Sequence, residues 1–193
     1  MKVLLLDGTS LNDPEAVELA GDTDAELRAR GCRLEEYRMR DQEIGNCRGC
    51  FACWYRTPGE CLQKDSAVDI ARSLVRSDLM VMVTRTTFGG YSSLIKSALD
   101  RTISVISPFF VANDGVVRHE RRYERYPAMV VIGLSGGPDP EAEEVFRELV
   151  KRNAFNFHSP AHAVGLVRVG TSPDDRRGII AAALESVGTG FKS

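Results

Sequence analysis

Apolar and polar positions along this chain switch repeatedly between a strand-like and a helix-like period. Residues 2–6 form a short apolar run that predicts a first strand. Residues 14–30 read as helix, with Gly21 marking a place for a break. Residues 33–37 alternate weakly and predict a second strand. Asp65 is suited to cap a helix through Arg76, with Val68, Ile70, Leu74 and Val75 on its apolar side. Residues 79–83, all apolar, read as a fully buried third strand. Leu94, Ile95, Ala98 and Leu99 then recur at helical spacing, predicting a helix to about Ser107. Residues 128–134 give a fourth strand. Asp139 and Pro140 place a cap and a first-turn proline at the start of a helix to Asn153. Residues 161–169 predict the last strand and 174–187 the last helix.

Strands that alternate with helices imply parallel βαβ units joined by right-handed crossovers. Five such strands point to an α/β fold, a doubly wound flavodoxin-like parallel sheet in the order 2-1-3-4-5 with three α/β/α layers. Ligands in such sheets bind at the carboxyl ends of the strands, here between strands 1 and 3. The 193 residues are expected to form one domain, 1–193, long enough to bury a core without staples. Two excursions, 40–64 and 108–127, exceed what the minimal pattern needs. Long excursions in compact domains are often functional.

Charge narrows the partners. Lys and Arg total 25 against 27 Asp and Glu, a net charge of −2. The densest basic segment, 118–125, also holds Glu120 and Glu124, so no surface for tracking nucleic acid is expected. No apolar run is long enough to cross a membrane, and Met1 leads straight into a strand without a signal peptide. The expected location is cytoplasmic.

Two segments carry chemistry. The first is the loop after the third strand. Gly89 and Gly90 let the backbone approach a ligand, Thr84, Thr86 and Thr87 bring hydroxyls, and Phe88 and Tyr91 are suited to cover a flat ring. An ordinary βα loop would also explain it. The second segment is C-x2-C-x2-C-x7-C, formed by Cys47, Cys50, Cys53 and Cys61, four of the five cysteines. Thiolates so spaced suit a soft metal centre, with iron–sulfur ligation favoured over zinc because no histidine lies nearby. Packed or redox-active thiols without metal are the alternative. Cys32 reads as buried filler. Trp54 and Tyr55 either stack on a ring or pack on helices. In the second excursion, His119, Arg121, Arg122, Tyr123 and Tyr126 belong to a flap, a subunit contact or a surface hairpin. His158 and His162 show no metal or triad spacing.

The segments CRGCFACWYRTPGECLQKD and TRTTFGGYSSLIKSALDR together resemble the NAD(P)H-dependent FMN reductase superfamily. Within it they are most similar to the branch of iron–sulfur flavoproteins and their cluster-free relatives. The resemblance is most specific over 46–101 and continues loosely to Gly133. It implies a flavodoxin-like fold and FMN as cofactor. It places a second FMN loop on Thr84, Arg85, Thr86, Thr87, Phe88, Gly89, Gly90 and Tyr91, and a third on Ser135, Gly136 and Gly137. It makes Cys47, Cys50, Cys53 and Cys61 the candidate ligands of a [4Fe–4S] cluster, although the final seven-residue gap is longer than the spacing of those proteins.

The first loop departs from the family. Relatives place a Gly-Ser-Pro-Arg-like start there to cradle the FMN phosphate. This chain offers Gly8, Thr9, Ser10 and Asn12 as donors, but Pro14 lacks an N–H and Asp7, Asp13 and Glu15 oppose a dianion. Two unit charges ~6 Å apart repel by about 3 kcal/mol at an effective dielectric near 20. Arg85 either supplies the missing cation or faces solvent. The expected activity is an FMN-dependent oxidoreductase moving electrons from NAD(P)H to a flavin, a quinone or a protein acceptor, with no protein acid or base required. The alternatives are an FMN/iron–sulfur electron-transfer flavoprotein and a flavodoxin-like binding protein with impaired FMN binding. The apolar stretch 108–111 predicts a homodimer or tetramer.

Overall fold

The computed structural model describes residues 1–113 and 115–188. Five strands form one parallel sheet: β1 (Lys2–Gly8), β2 (Arg33–Arg38), β3 (Leu79–Arg85), β6 (Ala128–Ser135) and β7 (His162–Arg168). Their order is β2-β1-β3-β6-β7. This is the expected 2-1-3-4-5 order once two further strands, β4 (Ile106–Asn113) and β5 (Val116–Arg121), take their numbers. Those two pair only with each other, as an antiparallel hairpin in the second excursion.

The period of two along the central strands divides the core. Val3 and Leu5 of β1, Val81 and Val83 of β3, and Val130 and Ile132 of β6 join Leu19 and Leu27 of α1 (Pro14–Ala29) and Ile180 and Leu184 of α6 (Pro173–Gly188). The intervening Leu4, Leu6, Met80, Met82, Met129 and Val131 face the other way. They meet Ile70 and Leu74 of α3 (Ser66–Arg76), Ile95 and Ala98 of α4 (Ser93–Arg101), and Phe146 and Val150 of α5 (Pro140–Asn156). Both faces of β1, β3 and β6 are therefore apolar, as a parallel sheet covered by helices requires.

The predicted caps are present. The Asp65 and Asp139 carboxylates accept from the Ala67 and Ala142 N–H groups. Three expectations need correction. Helix α1 runs unbroken through Gly21. Strand β3 extends to Arg85, so Thr84 and Arg85 are strand residues. Helix α4 ends at Arg101, passes through a 3-10 turn (Thr102–Val105) and becomes strand at Ile106. Pro108 keeps Ser107 out of the helical region, so a helix could not reach it, but the helix ends further upstream than that restraint requires.

No helix among the described residues is long and apolar enough to cross a membrane.

Candidate functional site

The carboxyl ends of β1, β3 and β6 bring the three predicted flavin loops together. Gly8 closes β1 where a Cβ would stand 2.3 Å from Ile95 Cγ1, so only glycine allows α4 this close. Ser92, the N-cap of α4, donates to Gly8 O at 3.0 Å and ties the first loop to the second. In the second loop, Thr87 and Gly90 exchange backbone hydrogen bonds of 3.0 and 2.8 Å across a two-residue turn. Phe88 (φ 50°) and Gly89 (φ 71°) both occupy the left-handed region. That conformation costs a bulky side chain about 1–2 kcal/mol. It leaves the Phe88 ring fully in solvent. Strain and an exposed aromatic ring together mark a ligand-facing turn. Across a cleft of about 310 Å³ lie Ser135, Gly136 and Gly137, with Thr86, Phe88 and Gly89 on the near wall.

Other predicted groups are committed inside the protein. Thr84 Oγ1 accepts from Ser92 N and donates to Arg85 O. Thr86 Oγ1 donates to Leu134 O. Ser135 Oγ donates to Val167 O. Tyr91 is buried against Phe146, and its hydroxyl accepts from Asn153 Nδ2. Burial pushes the Tyr91 phenol up to about 12 although the Asn153 bond opposes it. Of the two aromatic residues of this loop, Phe88 is exposed and Tyr91 is not.

The first loop is closed on itself. Asp7 Oδ1 accepts from both the N–H and the Oγ1 of buried Thr9, and Asp7 Oδ2 is paired with Arg40 at 2.7 Å. Asn12 N–H donates to Ser10 Oγ. Asp13 caps α1 through Ala16 N and pairs with Arg85 Nη1 at 3.4 Å. Glu15 faces away and accepts from Gly170 N. Arg85 thus neither points freely to solvent nor stands free for a phosphate, and the acidic residues are mostly balanced rather than aimed at one. Any anion at Arg85 would compete with Asp13, which already pairs with it and caps α1.

The cysteine excursion builds a second cavity, of about 270 Å³, lined by Cys47, Cys50, Cys53, Cys61 and Arg101 among others. All five cysteines are free thiols. Burial raises the Cys53 thiol above its ordinary value, and Cys61, Cys47 and Cys50 add to the rise, so the four sulfurs share one electrostatic neighbourhood. No three His, Cys, Asp or Glu side chains among the described residues are placed to hold a single metal ion. A cluster places its four cysteines on separate corners, so it does not require that convergence. Four thiols on one cavity, Cys61 included, fit such a group. So does the buried Arg101 Nε–H in the wall, which has no partner among the described residues.

The two excursions pack on each other. Trp54, in the short helix α2 (Ala52–Tyr55), stacks on Phe51 at 5.0 Å, meets His119 of the hairpin at 5.3 Å and donates to Ile103 O. Tyr55 is exposed. Neither aromatic residue lies among those lining the cleft between the Phe88 turn and Gly136. His158 braces the hairpin: its Nε2–H donates to His119 O and its Nδ1 accepts from Arg121 Nε. Reading by residue type and motif missed Arg101. Its one signal is the step of three from Ile95 through Ala98, which puts this arginine on the buried side of α4.

A family model described as NADPH-dependent FMN reductase matches residues 1–153. The chain belongs to this family. Among curated proteins, the chain is 31% identical over 102 residues to an iron-sulfur flavoprotein of Archaeoglobus fulgidus, covering 53% of this chain and 49% of that one. The match therefore spans about half the length of that relative. A second, from Methanocaldococcus jannaschii and also named an iron-sulfur flavoprotein, is 23% identical and covers 91% of this chain and 86% of its own. Among solved structures, an azoreductase from Bacillus anthracis superposes over the full length of both chains with a TM-score of 0.67 at 14% identity. That likeness supports the fold alone.

Proposed function

We propose that the protein is an FMN-dependent oxidoreductase that takes electrons from NAD(P)H and delivers them to a flavin, quinone or protein acceptor, with an iron–sulfur cluster at Cys47, Cys50, Cys53 and Cys61 as its second redox centre. The observation that carries this reading is the Phe88–Gly89 turn facing Ser135, Gly136 and Gly137 across the cleft in a member of this family. Bound FMN supplies hydride acceptance, and the cluster supplies one-electron storage. The chain positions them. The Phe88 ring covers one face of the flavin and excludes water. The backbone at Gly89, Gly90, Gly136 and Gly137 lies along its edges. Thr9, Ser10 and Asn12 border the phosphate end, where Arg85 serves the phosphate once released from Asp13. No side chain is required as acid or base.

In this reading residues 1–193 work as one cytoplasmic domain whose excursions form its redox face. The hairpin presents exposed Phe109, Phe110 and Val117, and a second copy of the chain covers them in a homodimer or tetramer. Sedimentation velocity of wild type and Phe109→Asp is expected to show an assembly that the substitution weakens.

The deciding experiment is anaerobic purification followed by visible spectroscopy and titration with NADH or NADPH. Flavin bands that bleach with the nicotinamide support the oxidoreductase. Flavin and cluster bands that bleach poorly with NAD(P)H but reduce reversibly in one-electron steps favour a dedicated electron carrier, which the cysteine cavity also suits. Protein that takes up neither flavin nor iron overturns both readings and leaves a binding protein on a flavodoxin-like scaffold.

A further inference from the structure

Arg101 holds the base of the cysteine excursion closed. It ends α4 and is only 2% exposed. Its Nη1 donates to Gly45 O at 2.6 Å and to Asp65 Oδ2 at 2.7 Å. Its Nη2 donates to Gln63 O at 3.2 Å and to Asp65 Oδ1 at 3.0 Å. Gly45 lies just before the first cysteine of the motif, and Gln63 and Asp65 just after the last. One guanidinium therefore clamps both ends of the loop that carries all four thiols. The arrangement holds Asp65 ionised: burial works against its charge, but the Arg101 bonds and the Gly45 and Ala67 N–H groups keep the carboxyl below its ordinary value.

Four of the five guanidinium donors point at the clamp, with Asp65 taking a two-pronged grip. The fifth, Nε–H, is buried and unpartnered among the described residues. Arg101 also lines the cysteine cavity, and the Cys61 thiol is close enough to act on the guanidinium both through its charge and as a side-chain hydrogen-bond partner. A buried donor left without an acceptor is costly and rare in native structures. Here it sits in the wall of a cavity whose other chemistry is sulfur.

We infer that Arg101 is a positioning and potential-setting residue of the cysteine site: its Nη atoms lock the loop, and its Nε–H donates to a sulfur at the Cys61 corner of the bound cluster. The inference rests on the reading that the four cysteines hold a cluster. Hydrogen bonds to cluster sulfurs favour the reduced, more negative state and raise the reduction potential. Lysine at this position keeps the positive charge and can still reach Asp65, but it lacks the fork and the Nε donor.

The test compares anaerobically reconstituted wild type, Arg101→Lys and, as a control, Arg147→Lys, whose exposed side chain lies on α5 outside the cavity. Iron and acid-labile sulfide are measured first, then the cluster potential by EPR-monitored titration. Arg101→Lys is expected to keep iron and lower the reduction equilibrium constant roughly tenfold, about 59 mV for one electron. Arg147→Lys is expected to match wild type. A second measurement needs no altered clamp. Reduced wild type carrying 15N-arginine is expected to show, by electron–nuclear double resonance, one coupled 15N and one exchangeable proton. Arg48→Gln, which removes the other arginine at the cavity, is expected to retain that signal. Iron in both proteins with equal potentials and no arginine coupling overturns the inference while leaving the cluster reading intact. Absence of iron and sulfide from wild type overturns the cluster reading and the inference with it. If Arg101→Lys alone fails to fold or to hold iron, the wild-type 15N signal decides.

Discussion

The first loop and the cysteine cavity are both places where the sequence expects a cofactor, yet their polar groups are in opposite states. In the first loop, Asp7 is satisfied by Thr9 and Arg40, Asp13 by the start of α1 and Arg85, and Glu15 by Gly170. In the cysteine cavity, four thiols stay free and one buried guanidinium donor has no partner among the described residues. In the first loop the three carboxylates already have partners, so an anion arriving at Arg85 would compete with Asp13. The cavity offers four thiols and one unclaimed donor to a ligand. Residue types alone do not report this difference, since both segments contain suitable donors. What separates them is whether a neighbour in space has already claimed those donors.

The largest effect is expected at the cysteines. Cys50→Ser should remove iron and sulfide completely from anaerobically reconstituted protein, whereas wild type should contain them in similar amounts. Iron retained by Cys50→Ser would mean that the cavity is not the binding site, and the contrast with the first loop would collapse.

A smaller, graded effect is expected at the first loop. Serine is a good N-cap, so Asp13→Ser should preserve α1 while freeing Arg85. FMN should then bind about tenfold more tightly, equivalent to ~1.4 kcal/mol, with riboflavin unchanged. Arg85→Ala should weaken FMN more than riboflavin. Flavin fluorescence quenching measures both. Equal responses of FMN and riboflavin would place the phosphate elsewhere.

The smallest effect concerns pH. Burial, reinforced by the nearby Arg118, Arg121 and His119 charges, lowers the His158 pKa below its ordinary 6.5 despite the bond to His119 O. The unfolded chain then binds more protons than the folded one, so stability is full above pH ~6.5 and declines as pH falls toward the lower folded value. Because Nδ1 must be unprotonated to accept from Arg121, protonation should loosen the hairpin and, through His119 and Trp54, the cysteine excursion. Hydrogen exchange at pH 5.5 against 7.5 is expected to rise at β5 and α2 but not at β1. Uniform exchange across all three would remove His158 as the cause.

Much of the fold was legible because it depends on local pattern. The apolar run at 79–83, the caps at Asp65 and Asp139, and the alternation of strands with helices each report a nearby backbone preference. The expected helix to Ser107 ran too long: Pro108 keeps Ser107 out of the helical region, and the helix ends further upstream still. For the site, the Phe88–Gly89 turn and the cysteine motif could be read from residue type and spacing. The roles of Tyr91, Trp54 and Arg85 could not, since each depends on a partner far away in sequence: Asn153, His119 and Asp13.

The sequence by itself therefore determined the parallel α/β architecture, the glycine-rich turn at the end of the third strand and the four-thiol motif, because hydrophobic period, turn chemistry and cysteine spacing act over a few residues. Only the tertiary structure decided which polar groups remain available. It turned Tyr91 inward, gave Arg85 to Asp13, packed the two excursions together and set Arg101 across the base of the cysteine loop. A hydrogen bond is settled by whichever donor and acceptor the fold brings within reach, and burial then makes an unpartnered group costly. Both conditions depend on contacts between segments dozens of residues apart.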